Sequence, residues 1–300
     1  MPYLVSSFGS LTTAIPVSNR VPIPKTIIES GDPMKRRYLN LAALGVALIQ
    51  SPLAAQDSDH PVLHVNPRWK ECSFQLDASL TQSAWKQFTE EAGLVAYFRP
   101  LSDARPMGKG KFELSIHQWQ TNIDDHDSAW NDTFVHPDST HWLFEGSGLK
   151  FPGLMVRAGV SNKTDVGLYF TKNPNANYGF IGGQVQQNFL NRNDWAASAR
   201  LSFVSLYGPD DLDFNVMGLD VLASRTMEIN SWAALSPYVG FSSYMANSHE
   251  RSSVVDLDDE HQGGSSTMLG AALQLSGARL SAEYSFATVN SLSLKIGFGR

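Results

Sequence analysis

Cysteine and long apolar runs are both scarce in this chain of 300 residues. The single cysteine, Cys72, excludes a scaffold held together by intramolecular disulfides. No stretch is long and apolar enough to form a helix that crosses a bilayer. The charged fraction of 17% and the hydrophobic fraction of 42% are ordinary for a folded chain. Composition alone therefore does not separate a soluble protein from a membrane barrel, in which alternate residues face water.

What the sequence does contain is strict alternation in its last third. Every second residue is apolar in three consecutive segments that begin near positions 269, 280 and 292. In the last of them the apolar face consists of Leu292, Leu294, Ile296 and Phe298, and the other face of Ser291, Ser293, Lys295, Gly297 and Gly299. Such segments suit strands with hydrocarbon on one side and water on the other. The pattern predicts an all-β fold, an antiparallel transmembrane β-barrel.

Ten segments of this kind follow residue 111, which predicts about ten strands within a range of eight to twelve. They cover residues 112–120, 152–160, 164–172, 177–189, 194–207, 212–224, 231–245, 266–276, 278–287 and 290–299. The two longest connections, 121–151 and 246–265, both follow odd-numbered strands, as expected for the long outer loops of bacterial barrels. A soluble β-sandwich is the alternative, because alternation does not say whether an apolar face meets lipid or a second sheet.

Residues 34–55 have the order of a secretory signal peptide. Basic residues Lys35–Arg37 precede the apolar run Leu39–Ile49, and the segment ends in Ala54-Ala55. We therefore expect Met34 to be the true start, residues 1–33 to be an over-extended start, and the mature chain to reach the bacterial outer membrane by signal-directed export. Removing residues 1–55 reduces the 23 basic and 29 acidic residues to 18 and 27, a net charge of −9. An acidic mature chain argues against nucleic acid as a partner.

Residues 56–111 form an N-terminal region that precedes the predicted barrel of residues 112–300. Ser79 with Gln82 resembles a capping box, and Gly93 is a stop signal, so one short helix is predicted between them. Its apolar face consists of Leu80, Ala84, Trp85, Phe88 and Ala92. Two placements remain open: a periplasmic or interfacial helix against the base of the barrel, and a plug inside the lumen.

Aromatic residues fall at the predicted strand ends, where transmembrane barrels carry girdles at the two membrane interfaces. The predicted girdle residues are Trp195, Trp232 and Phe298 at periplasmic ends, and Trp119, Tyr178, Tyr207 and Phe286 at outer ends. Pro237 lies in the middle of a predicted strand, where it removes a ladder hydrogen bond. A bulge or a register break is expected there.

The most informative hairpin is residues 157–169. A three-residue turn at 161–163 would place Arg157 opposite Gly167 and diagonal to Asp165, which can pair with it inside the lumen. This spacing of Arg157, Gly159, Asp165 and Gly167 resembles a hairpin of bacterial outer-membrane barrels grouped with phenol meta-cleavage pathways. That family is linked to the uptake of hydrophobic compounds, so the resemblance implies transport of small hydrophobic molecules. It covers this hairpin and then fades into a general barrel pattern.

The alternation also predicts which polar side chains line the lumen. They are Glu113, His117, Arg157, Asp165, Arg200, Glu283 and Lys295, with Asp220 as a further residue. Charges of both signs in a narrow interior favour ion pairing, and the interior of a ten-strand barrel is largely filled by side chains. Two functions follow as hypotheses: a passive channel or transporter for small hydrophobic molecules, and a structural or surface-interaction barrel with a closed lumen.

Metal binding and catalysis have less support. Asp124, His126, His136 and His141 in the first outer loop are weak metal candidates, but their spacing matches no defined metal loop. No metal or cofactor is predicted.

A lipid hydrolase at the outer rim is a minor alternative, suggested by Ser248-His249-Glu250. Sequence neighbours usually point to opposite faces of a strand, so no catalytic residue is predicted. The expected partners are outer-membrane lipid and lipopolysaccharide, with small hydrophobic molecules as cargo, and the oligomeric state is left open.

Overall fold

The computed structural model describes residues 76–124, 127–131, 133, 149–172 and 178–299. The predicted start and signal peptide, residues 1–55, lie outside this range. Two helices are present within it, α1 (Gln82–Ala96) and α2 (Ser128–Asn131). The strands are β1 (Phe112–Thr121), β2 (Leu149–Gly159), β3 (Thr164–Thr171), β4 (Gly179–Arg192), β5 (Trp195–Tyr207), β6 (Leu212–Arg225), β7 (Met227–Asn230), β8 (Ala233–Glu250), β9 (Glu260–Leu275), β10 (Ala278–Phe286) and β11 (Ser291–Gly299).

These strands form one antiparallel sheet that closes on itself. β1 pairs with both β2 and β11, and β6 pairs with both β5 and β8, so the first and last strands meet. The four-residue β7 follows β6 after Thr226. It pairs with the first residues of β8, which β6 does not reach, and so continues the line of β6. The wall therefore has ten strands, which confirms the predicted barrel and excludes the sandwich.

Connections differ in length between the two ends of the barrel. At one end they are 160–163, 193–194, 231–232 and 276–277, and at the other they are 122–148, 172–178, 208–211, 251–259 and 287–290. Bacterial barrels have short periplasmic turns and longer outer loops. We therefore call the first end periplasmic and the second end outer.

The wall is apolar outside, and its inner face carries buried polar and charged side chains together with the apolar ones that pack around α1. Alternate residues of every long strand are exposed and hydrophobic, among them Leu154, Leu168, Leu201, Phe241, Leu269 and Leu294. Their neighbours in sequence point inward, as Ser266, Glu283 and Ser293 do. An exposed apolar band of this extent is unusual for a soluble monomer and typical of a surface that meets lipid.

Strands β8 and β9 extend further toward the outer end of the barrel than the alternation predicts, so their connection is 251–259 rather than 246–265. The extra pairs join Asn247 with His261 and Met245 with Gly263. Outward-facing residues here include Asn247, His249 and His261, which are polar, so this part of the sheet carries no hydrophobic signal. Backbone hydrogen bonds between the strands, and not burial of apolar side chains, continue the sheet beyond the apolar band.

Pro237 lies where the partner of β8 changes. Below it Leu235 pairs with Met227 of β7, and above it Tyr238 pairs with Ser224 of β6. On the other side, Pro237 pairs with Ala271 without any shift in register. The expected break therefore occurs only on the side of β6 and β7. On that side Pro237 has no paired residue opposite it, so its missing N–H costs no ladder hydrogen bond.

Helix α1 lies inside the barrel, the second of the two placements left open above. Trp85, Phe88 and Ala92 are buried in a core that includes inward-facing wall residues such as Trp119 and Tyr244. The N-cap is Thr81, whose hydroxyl accepts a hydrogen bond from the Ala84 amide, and not Ser79 as the capping-box pattern suggests. None of the helices in the described ranges is long and apolar enough to cross a bilayer.

The predicted stop at Gly93 is also wrong, since α1 continues to Ala96. A Cβ on Gly93 would come within 2.7 Å of the Tyr244 ring and 2.8 Å of Ala246 Cβ on β8. Gly93 therefore serves close approach of the helix to the wall and not helix termination.

Candidate functional site: the plugged lumen

Residues 76–111, which we call the plug, run through the barrel from the outer end to the periplasmic end. At the outer end the Asp77 amide donates to the Thr133 carbonyl in the first outer loop, at 3.1 Å. Gln82 Nε2 donates to Glu260 Oε1 at the start of β9, at 2.5 Å. Further down, the hydroxyls of Thr89 and Ser248 are 2.6 Å apart. The first turns of the plug are thus attached to the outer rim.

In the middle of the barrel the wall donates to the backbone that ends α1. Trp119 Nε1 donates to the Val95 carbonyl at 3.0 Å, and the Tyr169 hydroxyl donates to the Ala96 carbonyl at 2.9 Å. The last carbonyls of a helix have no partner within the helix. Two of them are satisfied here by wall side chains, so the C-terminus of α1 is fixed to β1 and β3.

The centre of the plug is held by the ion pair between Arg200 of β5 and Asp220 of β6. Arg200 Nε lies 2.6 Å from Asp220 Oδ2, and both side chains are fully buried. Arg200 also donates to Gln184 Oε1 at 2.6 Å and to the carbonyl of Phe98 in the plug. Asp220 Oδ1 accepts from the hydroxyl of Tyr97 at 2.6 Å and from that of Ser242. One wall pair therefore binds two consecutive plug residues.

The lower half of the plug is held by donors and acceptors on other strands. Arg99 donates to Ser291 Oγ at 2.5 Å, and the Leu101 amide donates to Glu283 Oε2 at 3.2 Å. The Ala104 amide donates to Ser224 Oγ at 3.1 Å. These contacts distribute the plug over β6, β10 and β11, so it is not attached to a single side of the wall.

At the periplasmic end the plug is bound by the hairpin that the sequence singled out. Arg157 pairs opposite Gly167 in the register, and its Nη2 lies 2.5 Å from Asp165 Oδ2. Asp165 also accepts from the Met107 amide at 3.1 Å, and Arg157 donates to the Arg105 carbonyl at 3.3 Å. The predicted pair therefore forms, and it also anchors the plug.

The residues predicted to line the lumen are all buried inside the barrel. Glu113, His117, Arg157, Asp165, Arg200, Glu283 and Lys295 are each at most 4% exposed, and Asp220 is fully buried. The structure brings Lys295 Nζ to 2.7 Å from Glu113 Oε1, and Arg279 Nε to 3.7 Å from Glu113 Oε2. Glu283 accepts from the Tyr238 hydroxyl at 2.8 Å.

His117 is placed differently from the charged members of this set. Its ring stacks on Trp119 with a centroid separation of 4.9 Å, and within the described residues neither ring nitrogen has a hydrogen-bond partner. It packs as an aromatic ring in the interior.

The girdle prediction was wrong for Trp119 and Tyr178. Trp119 is fully buried, and Tyr178 packs inside against Phe151 with a centroid separation of 5.7 Å. The physical reason is parity: Trp119 lies on the same face of β1 as Glu113 and His117, which the alternation already placed inside.

The other predicted girdle residues lie on the outside or at the ends of the wall. Trp195 and Trp232 are 53% and 60% exposed at the periplasmic end, and Phe286 is 47% exposed at the outer end. Tyr207 and Phe298 are half-buried.

The sequence pattern predicts a short strand at residues 94–98 and a linker at residues 99–111, so it does not predict a role in the lumen for Tyr97 or Arg99. Arg99 is buried and 5.4 Å from the Trp119 ring centroid. One signal in the sequence indicates such a role. The inward-facing polar residues of the strands need hydrogen-bond partners, and the segment that precedes a narrow barrel in sequence can supply them.

An apolar pocket lies at the outer end between α1 and the wall. It is lined by Phe88, Ala92, Val95, Trp130, Phe151, Tyr178, Phe180, Leu206, Leu212 and Phe214. Its free volume is about 30 Å³, so little more than a water-sized space is open while α1 is in place. Aromatic and aliphatic side chains supply the whole lining, which suits apolar molecules only.

A larger cavity of about 350 Å³ opens at the periplasmic end beside the lower plug. Arg105, Lys111 and Arg279 line it together with Asp103 and Glu113. Charges of both signs face the cavity, so its lining does not favour ions of one sign.

The weak enzyme candidates Ser248 and His249 are not assembled into a site. Ser248 is buried against Thr89, whereas His249 is exposed and its Nδ1 lies 2.6 Å from Asp259 Oδ1. Serine and histidine thus point to opposite faces of β8, as adjacent strand residues do. His126, His136 and His141 lie outside the described residues, among which no metal-binding group of three side chains occurs.

Comparisons with known proteins add little to this geometry. No protein-family model matches the sequence, and no curated protein matches it. Similar solved structures include the attachment invasion locus protein Ail of Yersinia pestis, with 16% identity, 64% of this chain and 99% of that chain covered, and a TM-score of 0.27. The β domain of the Bordetella autotransporter BrkA has 12% identity, coverages of 63% and 99%, and a TM-score of 0.37.

LpxR from Salmonella typhimurium has 9% identity, coverages of 63% and 99%, and a TM-score of 0.31. Likeness at this level carries no argument about activity, ligand or partner, so the functional argument below uses the chain's own residues.

Proposed function

We propose that this chain is a bacterial outer-membrane β-barrel whose lumen is closed by its own N-terminal segment and which acts at the cell surface as an anchor or interaction barrel. The observation that carries the proposal is the plug. The apolar band outside the wall supports the membrane location, because so much exposed hydrocarbon is stable only against lipid. The long connections at the outer end supply the surface available to other molecules.

Closure of the lumen is supported by the number and burial of the plug's contacts. Wall donors and acceptors meet the plug at the level of Thr89, Tyr97, Arg99, Ala104 and Met107, which covers the height of the barrel. A net contribution near 1 kcal/mol for each hydrogen bond, and about 1.5–3 kcal/mol for those to charged groups, makes removal of the plug costly. We therefore expect the plug to stay in place in the resting protein.

Conductance tests the closed lumen directly. The mature protein, refolded in detergent and shown to be folded by its heat-modifiable migration on a denaturing gel, is added to a planar lipid bilayer. We expect no current above the leak. A variant lacking residues 76–104, verified by the same gel shift, should conduct, because the deletion removes α1 and the segment after it, which occupy the space between the inward-facing wall side chains. Stable single-channel steps from the intact protein would overturn the proposal.

Transport of small hydrophobic molecules is the second candidate, and the apolar pocket favours it. The pocket lies at the outer end, where a molecule from outside the cell would arrive, and its lining is aromatic. Since the free volume is about 30 Å³, binding of an aromatic hydrocarbon requires α1 to move. A charged lower lumen then opposes passage straight down the barrel.

Naphthalene binding to the refolded protein, measured by saturable quenching of tryptophan fluorescence, tests this candidate. Ala92→Leu fills the pocket and should abolish saturable binding. Ala282→Leu, on the outward face of β10, is the matched control and should leave it unchanged. Equal binding by both variants would refute the pocket as the site.

A further inference from the structure

The direction of the plug determines on which side of the membrane its first residues lie. Asp77 is hydrogen-bonded to Thr133 at the outer end, while Gly110 is hydrogen-bonded to Gly159 at the periplasmic end of β2, with its amide 2.9 Å from the Gly159 carbonyl. From Leu76 to Lys111 the chain therefore runs inward, toward the periplasm. The contacts between these ends occur in sequence order, which fixes the direction along the whole lumen.

Where the plug crosses the lumen, there is room for only one pass of the chain. A Cβ on Gly218 of β6 would lie 2.2 Å from the Tyr97 ring, and one on Gly93 would lie 2.7 Å from the Tyr244 ring. Phe98 and Tyr169 fill the other side, with ring centroids 4.0 Å apart. A second segment cannot return beside the first without displacing these side chains.

We infer that the barrel presents the start of its plug, at Asp77 and Ala78, on the outer face of the membrane. The inference rests on the proposed outer-membrane location. Because exported chains arrive from the periplasm, the start of the plug then has to cross the outer membrane during assembly.

Surface labelling of single cysteines tests this topology in the full-length protein. In a Cys72→Ser background, cysteine replaces one exposed residue at a time: Ala78 at the start of the plug, Val254 in the outer connection 251–259, or Lys163 in the periplasmic turn 160–163. Intact cells are treated with a membrane-impermeant biotin maleimide. Ala78→Cys and Val254→Cys should be labelled equally, and Lys163→Cys only after the outer membrane is permeabilised.

The outcomes separate this inference from the proposed function. Labelling of Val254→Cys without Ala78→Cys in intact cells would overturn the inference and leave the membrane location standing. If neither is labelled and the protein is absent from the outer-membrane fraction, the proposed location fails and the inference with it. An epitope inserted directly before Leu76 gives a second readout: protease added to intact cells should remove it, and an epitope that persists contradicts surface presentation.

Discussion

Replacing Asp220 by asparagine is expected to destabilise the barrel strongly, because it removes the charge that balances Arg200 in the lumen. Both side chains are fully buried, and their closest atoms are 2.6 Å apart. Removing one partner of a buried pair leaves the other charge without compensation and costs about 3–5 kcal/mol. Asp220 also accepts from Tyr97 and Ser242, and the asparagine amide can replace only one of its oxygens as an acceptor. We therefore expect a loss at the upper end of that range.

The free energy of unfolding is measured for protein refolded in detergent micelles, by urea titration followed through tryptophan fluorescence. The matched comparison is the double variant Arg200→Met with Asp220→Leu, which removes both charges and keeps apolar volume. Replacing a whole buried pair by apolar residues is often close to neutral, so the double variant should lose less stability than Asp220→Asn alone. The double variant also removes the acceptor of the Tyr97 hydroxyl, so bilayer conductance gives a second readout, which reports release of the plug.

Two results would refute this reasoning. If Asp220→Asn costs less than about 1 kcal/mol, the pair behaves as a solvated surface pair and the lumen is not closed around it. If the effects of Arg200→Met and Asp220→Leu, each measured alone, simply add in the double variant, Arg200 and Asp220 are not coupled, and the plug is held by other contacts.

Two further predictions concern the plug and the outer rim. Gly218→Ala should cost about 1–3 kcal/mol of unfolding free energy in the same titration, because the new methyl group would lie 2.2 Å from the Tyr97 ring; Gly183→Ala, whose Cβ has no neighbour closer than 3.6 Å, should stay within about 0.5 kcal/mol of wild type. The hydrogen bond to Asp259 raises the pKa of His249 above its ordinary value, so the stability that this contact adds is complete below the unfolded-state pKa and is lost as pH rises through the folded-state pKa. An NMR titration should show the raised pKa returning toward normal in Asp259→Asn, and an unchanged value would contradict the assignment.

Alternation predicted the wall of this protein well, because successive residues of each strand face the lipid and the lumen in turn. The register of the hairpin at residues 157–169 followed from its turn length alone. The same rule places Trp119 inside the barrel, on the face of Glu113 and His117. The girdle prediction for Trp119 contradicted this rule and was wrong. Where both faces of a strand are polar, as beside His249 and His261, the hydrophobic period disappears, so the predicted end of β8 comes too early and the predicted start of β9 too late.

By itself the sequence determined the class of fold, the approximate strand count and the inward position of the charged residues, since period-two burial is a local property of the chain. Only the tertiary structure decided that α1 lies inside the barrel, that Arg99 reaches Ser291, and that the plug enters from the outer end. Those contacts join residues far apart in sequence, and an amphipathic helix presents the same apolar face to the base of a barrel as to its interior. The choice between the two depends on whether the closed wall leaves space that the helix fills and polar groups that the following segment satisfies.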